Sequence, residues 1–225
     1  MHSRPIRMER PLALKSLTPL PAGSQRYVFR HPGDPDLIVK VPREPDGPRA
    51  RGKWYKLPTR YRQFRSFMRE MREQIAVRAV SPQAPRHMQT IIGFAETDLG
   101  FGLVSKAIYG RDGGLAPNLR DLLRQGRFNA KMRADLDTFF AWMLDAPVVL
   151  GDIHLGNLVY GYDPEHGDYF AVIDGIGDKN LIPLNSWSRR INRMSKRRRI
   201  RRIDAKIAHL QRRFPPPGSS VGAGE

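Results

Sequence analysis

Asp152, Asn157 and Asp174 are the residues of this chain whose types and spacing most directly suggest chemistry. Asp152 follows the apolar run Val148-Val149-Leu150 and Gly151, and Asn157 comes five positions later, ahead of Leu158-Val159-Tyr160. Asp174 ends a second apolar run, Phe170-Ala171-Val172-Ile173, and is followed by Gly175. β-Branched apolar runs read as strands, so these polar groups stand at strand ends. Carboxylates and an amide are hard oxygen donors. They suit magnesium, which keeps several waters and takes phosphate oxygens as further ligands. The pattern points to phosphoryl transfer from ATP with Mg2+: Asp152 positions the attacking hydroxyl, and Asn157 and Asp174 hold the metal. The alternative is that Asp152 and Asn157 are turn and cap residues, common places for both types.

Phosphoryl transfer also needs positive charge on the triphosphate. Lys40 sits in Leu37-Ile38-Val39-Lys40-Val41, where an ammonium flanked by apolar residues must find an anion. Its expected role is to bind phosphates while paired with a glutamate of the following helix. Glu70 is preferred, about 100° from Met71 at the edge of the apolar stripe, with Glu73 as substitute. A solvated strand face is the other reading of Lys40. Residues 21–27 precede it, and there Gly23, Ser24 and Arg26 are candidates for covering the phosphates. The adenine is expected near Ser105 and Ala107, with Val39 and Lys106 beside them. His154 is expected to bond a loop carbonyl or Asp174 and brace the loop; Asp178 and Lys179 are further candidates near the site, against a solvated turn.

The elements that must position these groups follow from periodicity and breakers. Residues 27–30 and 37–41 form a hairpin around His31-Pro32-Gly33-Asp34-Pro35-Asp36, and 42–58 is a Pro- and Gly-rich loop. A helix is expected over 60–80, burying Tyr61, Phe64, Met68, Met71 and Ile75. Strands follow at 91–97 and 101–105, a Gly-rich linker at 110–114, a short helix from the Asn118 cap to Arg124, and a helix over 131–144. Strands at 148–150, 158–160 and 170–173 and a last helix over 188–214 complete the series, and Pro215-Pro216-Pro217 stops that helix. The division expected is a 1–18 extension, a 19–107 N-lobe, a reduced C-lobe at 108–188, a basic helix at 189–214 and a tail at 215–225.

With 225 residues and 40% hydrophobic content, the chain can bury one substantial core or two small ones. The absence of cysteine excludes disulfides, thiolate metal sites and a cysteine nucleophile. No run approaches the roughly 18 apolar residues of a membrane span, and residues 1–7 lack the apolar centre of a secretory signal. A cytoplasmic protein is expected, with peripheral placement at the inner membrane as a variant of that reading. The net charge of +17 is concentrated: Arg189–Arg213 holds 12 Lys or Arg against Asp204 alone. An anionic partner (a glycolipid, a phospholipid surface or RNA) belongs to that helix; the competing reading is a packed helix with solvated arginines.

Taken together, several segments resemble the YrbL family, a bacterial group with a protein-kinase-like fold. They are Pro19-Leu20-Pro21-Ala22-Gly23 with His31-Pro32, Ile38-Val39-Lys40-Val41, the helix with Arg69-Glu70, Ala95 to Gly102, and Asn118 to Leu123. The most specific is Asp174 to Ser188, with its Leu181-Ile182-Pro183-Leu184 and Trp187-Ser188 core. The resemblance covers roughly residues 19 to 200. It implies an α+β, minimal protein-kinase-like two-lobe fold with a reduced C-lobe, and a link to the PhoP regulatory network. The Gly151-Asp152, His154 and Asn157 loop looks like that of small-molecule kinases such as the aminoglycoside and choline kinases, with Leu150 in place of their first histidine. An ATP- and Mg2+-dependent phosphotransferase with a small or glycolipid acceptor is the first expectation. The second is a nucleotide-binding pseudokinase with a regulatory role. The third is a basic RNA-binding module.

Overall fold

The structure is a computed structural model that describes residues 10–21, 26–43, 64–80, 85–177 and 188–215. In chain order the elements are β1 (Arg26–His31), β2 (Asp34–Pro42), α1 (Arg65–Val80), β3 (Ile91–Thr97), β4 (Gly100–Lys106), α2 (Leu119–Arg124), α3 (Ala130–Asp145), a 3-10 turn (Leu155–Asn157), β5 (Leu158–Asp163), β6 (Gly167–Val172) and α4 (Arg189–Arg213). The architecture is α+β, as the sequence suggests. The described residues divide into two compact units.

The first unit is a four-stranded antiparallel sheet of order β1-β2-β4-β3. The β1–β2 hairpin turns at His31-Pro32-Gly33-Asp34, where turn formers are dense. One sheet face is apolar: Phe29, Val39, Val41 and Val104 pack with Leu14. Leu14 comes from the segment read as an N-terminal extension. That segment runs beside β3, with Leu12 N–H donating to Glu96 O at 2.9 Å and Leu14 N–H donating to Asp98 Oδ1 at 2.8 Å.

The second unit holds residues 65–90 and the chain from Ile108 onward, so α1 groups here and not with the sheet. α2 and α3 start on asparagine caps, Asn118 and Asn129. Each side chain accepts a backbone N–H of the first turn, at 3.0 Å from Asp121 and 2.9 Å from Met132. Leu119, Leu122 and Leu123 of α2 and Leu136, Phe139, Phe140 and Met143 of α3 build the core with Phe170 and Val172 of β6 and Ile203 and Ile207 of α4. α4 is capped by Ser188, and its buried stripe is Asn192, Lys196, Ile203 and Ile207.

Two expectations are corrected here. The buried face of α1 is Phe67, Glu70, Glu73, Gln74 and Val77, while Ile75 is 60% exposed and Met68 and Met71 are half-buried. The helix is rotated from its apolar stripe because its inward polar groups have partners; Glu73, for one, accepts a buried backbone N–H. Of the expected residues, Tyr61 lies outside the described ones. Residues 148–150 are buried but form no strand: Leu150 makes one isolated bridge, to Ile176, and side chains satisfy neighbouring backbone groups.

Candidate functional site

The loop after Leu150 alternates inward and outward. Leu150, Ile153, Leu155 and Leu158 are buried in the second unit's core, while Asp152, His154, Gly156 and Asn157 are half-buried. Alternate apolar anchors fix the loop, so its polar side chains stand on one rigid rim.

β5 and β6 bring the far ends of this rim together. Their register pairs Leu158 with Val172, which sets Asn157 opposite Ile173, and Ile173 N–H donates to Asn157 O at 3.0 Å. Asp174 is the next residue, beyond the end of the hairpin. Asp152 N–H donates to Gly175 O at 2.9 Å, and Asn157 Nδ2 donates to Asp152 O at 3.2 Å. Asp152, Asn157 and the Asp174-Gly175 corner are therefore tied to one another by backbone-anchored bonds. With its Nδ2 donating to Asp152, the amide of Asn157 leaves its Oδ1 as the group able to face a cation.

Gly175 makes this convergence possible. Its φ is +78°, a conformation disfavoured for residues with a Cβ, and a Cβ there would lie 2.2 Å from Asp152 O and 3.1 Å from Asn157 Nδ2. Gly177, with φ +90°, does the same against α1: its Cβ would meet Arg69 Cβ at 2.7 Å. The turn that carries Glu70 thus packs on the segment that carries Asp174. The left-handed glycines next to the loop are Gly175 and Gly177, and Gly151 is not among them.

His154 braces the loop differently from expectation. Its Nδ1 accepts the Gly156 N–H at 3.1 Å and caps the 3-10 turn, so the neutral ring carries its proton on Nε2. Burial holds its pKa below the usual histidine value. The charges of Arg120 and Lys206 push the same way, and those of Asp152 and Asp174 oppose them.

The base of the loop is held by Glu73, expected as the substitute partner of Lys40, and by Asn192 and Lys196, which the sequence reading did not single out. Glu73 Oε2 accepts the Val149 N–H at 2.8 Å. Asn192 Nδ2 donates to Val148 O at 3.2 Å, and Lys196 Nζ donates to Ala146 O at 2.7 Å. Lys196 is 2% exposed, and burial pulls its pKa down to about 8 against the opposing pull of Glu73 and Asp145. A signal for it existed: extended toward the N-terminus, the stripe Ile200, Ile203, Ile207 runs through positions 196 and 192.

In the first unit, antiparallel register sets directly opposed residues on the same face. Arg26 opposes Pro42, Lys40 opposes Val28 and Leu103, and Ser105 opposes Ile38. Arg26, Lys40 and Ser105 therefore share the sheet face opposite to the Val39 and Val41 core, and all three are buried. Among the described residues the Ser105 Oγ is buried without a hydrogen-bond partner. The Ala107 N–H is committed to Asp36 O at 2.7 Å. Gly23, Ser24, Asp178 and Lys179 lie outside the described residues. Glu70 is 3% exposed on the inward face of α1. Glu73 is bonded to Val149, and Glu70 is the other inward glutamate of that helix.

Among the described residues no cluster of three or more His, Cys, Asp or Glu could hold a metal by itself. An amide oxygen beside a carboxylate still fits magnesium that draws its remaining ligands from phosphate and water. No helix among the described residues is long and apolar enough to cross a membrane.

The chain is similar to YrbL of Escherichia coli K12, at 24% identity over 181 residues covering 79% of each protein, and to YrbL of Shigella flexneri, with the same figures. A solved structure of Rad53 (residues 1–466) in complex with AMP-PNP matches 70% of this chain and 37% of that one, at 12% identity and a TM-score of 0.43, a likeness too loose to carry an argument. The sequence profile of the family described as PhoP regulatory network protein YrbL matches residues 12–208. With most of its length matched by that profile, the chain belongs to the YrbL family.

Proposed function

We propose that this protein is an ATP- and magnesium-dependent phosphotransferase of minimal protein-kinase-like design. The observation that carries the reading is the joining of Asp152, Asn157 and the Asp174-Gly175 corner by direct hydrogen bonds, at a glycine that admits no side chain. Asn157 Oδ1 and the Asp174 carboxylate hold the metal, which when bound neutralises phosphate charge. Asp152 accepts the proton of the acceptor hydroxyl. The hydroxyl oxygen bonds the γ-phosphorus as the bond from phosphorus to the β–γ bridging oxygen breaks, and ADP leaves. Lys40 supplies positive charge to the phosphates, with Arg26 on the same sheet face. The nucleobase lies beside Ser105, whose buried hydroxyl has no hydrogen-bond partner among the described residues.

Transfer of labelled γ-phosphate from ATP to small-molecule and glycolipid fractions tests the assignment. Asp152→Ala lowers the rate by about 100-fold or more with nucleotide binding retained, the size expected when a proton acceptor is removed. Equal labelling by both proteins removes Asp152 from the mechanism.

A further inference from the structure

Two cations beside the Asp152 loop have no use in the reading above. Arg120 lies in the first turn of α2, whose buried residues are Leu119, Leu122 and Leu123. Its side chain is exposed, and its guanidinium lies against the loop: Cζ and Nη2 are each 3.3 Å from where a Cβ on Gly156 would stand. A glycine at 156 leaves the room that the guanidinium occupies. Lys206 is exposed on α4 next to buried Ile207, and its charge reaches the His154 ring together with that of Arg120.

Neither cation has a hydrogen bond or ion pair among the described residues. The acids that pair other cations of this unit are spent elsewhere: Asp204, the one acid of α4, takes Arg133 at 2.6 Å, and Asp145 takes Arg193 at 3.6 Å. On α4, Asp204 and Arg193 lie on one side of the buried Ile203 and Ile207 stripe, and Lys206 lies on the other, with Arg202 one turn before it. That second side carries the charge that reaches the His154 ring.

We propose that Arg120 and Lys206 form an anion subsite beside Asp152, so that the phosphoryl acceptor is a hydroxyl compound that already bears a phosphate ester. This rests on the phosphotransferase reading and adds the substrate class. A guanidinium can take two phosphate oxygens at once, and an ammonium from α4 supplies charge without fixing orientation. Both charges act on the His154 ring, as does that of the carboxylate that receives the hydroxyl proton. Charge held at a fixed distance from the reacting hydroxyl orients the acceptor, which is where positioning lowers a barrier.

The test is calorimetric titration of the full chain with glycerol 3-phosphate at constant ionic strength, with glycerol as the neutral control. Saturable binding of the phosphate ester alone is expected, weakened about tenfold or more by Arg120→Ala and by Lys206→Ala. Arg120→Lys should restore part of the affinity. Arg190→Ala, which removes equal charge from the far face of α4, should change nothing. Non-saturable binding, or equal weakening by Arg190→Ala, overturns the subsite. Vesicles containing phosphatidylglycerol form the second arm. Vesicle binding that needs Arg120 and Lys206 assigns the phosphate to a lipid headgroup, and glycerol 3-phosphate binding without vesicle binding assigns it to a soluble ester. Vesicle binding indifferent to both residues, with no ester binding, overturns the proposal. Anion binding does not need turnover. Saturable ester binding by a protein that transfers no phosphate sinks the phosphotransferase reading alone, and transfer without ester binding sinks the subsite alone.

Discussion

Lys196→Met tests whether the loop's base rests on a buried cation. In the native protein Lys196 is 2% exposed, and its pKa falls from the ordinary 10.5 to about 8. The folded state therefore holds this proton less tightly than the unfolded chain does. Below about pH 8 both states are charged and folding carries the full cost of burying the charge. Between about 8 and 10.5 the unfolded chain binds more proton, so stability rises with pH, and above 10.5 the cost is gone. At about 1.4 kcal/mol per pH unit, the cost below pH 8 has a ceiling of about 3 kcal/mol. Methionine keeps the buried stem but loses the 2.7 Å bond to Ala146 O, about 1.5–3 kcal/mol for a charged donor. At neutral pH the two effects nearly cancel, and the variant should unfold within about 1.5 kcal/mol of the parent. By about pH 10 the parent should have gained about 2 kcal/mol on the variant. Urea unfolding followed by circular dichroism across that range measures the difference, and subtraction removes every other titrating group. A parent-minus-variant difference that stays flat would refute the burial of a charge at this position.

Gly175→Ala should be among the most damaging single-methyl changes in the protein. It places a Cβ 2.2 Å from a backbone oxygen that cannot swing away, at φ +78°, for about 3 kcal/mol or more of lost stability in thermal unfolding. A melting temperature unchanged by this substitution would show that the Asp174-Gly175 corner does not press on Asp152. Glu73→Ala leaves the Val149 N–H buried without an acceptor and should cost about 1–3 kcal/mol, while Glu73→Gln, which keeps an acceptor oxygen, should recover most of it. Equal loss in both would assign the effect to charge, not to the hydrogen bond.

Much of the fold is legible because its elements obey their own periodicities. The β1–β2 hairpin shows its turn formers, α2 its Asn118 cap, and α3 the Leu136, Phe139, Phe140 and Met143 stripe. The polar triad is legible for a related reason: Asp152, Asn157 and Asp174 interrupt apolar runs that would otherwise be continuous. Periodicity fails where polar residues turn inward. In α1 the apolar residues Met68, Met71 and Ile75 suggest one face, but Glu70, Glu73 and Gln74 occupy the buried one. A one-dimensional pattern ranks residues by transfer cost and cannot register that a buried backbone N–H at Val149 repays a carboxylate's burial. The strand expected at 148–150 fails through the same exchange. Three apolar residues in a row suggest a ladder, whereas their neighbouring backbone groups are satisfied by side chains of α1 and α4.

That exchange also determines what the basic helix is for. Its twelve cations suggest an appendage that docks on something acidic, but Asn192 and Lys196 on its inner face bond the carbonyls of Val148 and Ala146, just ahead of the Asp152 loop. Ile203 and Ile207 close the same core that anchors Ile153 and Leu155. α4 thus supports the base of the loop before it is a surface for any partner. Removing it whole would unseat the loop and its cations together, and loss of activity after such a deletion would say nothing about binding. Substitutions divided by face do separate the two. Changes at Asn192 and Lys196 act on stability and loop position, changes at Lys206 act on the side next to His154, and changes at Arg190 or Arg201 act on the outer surface alone.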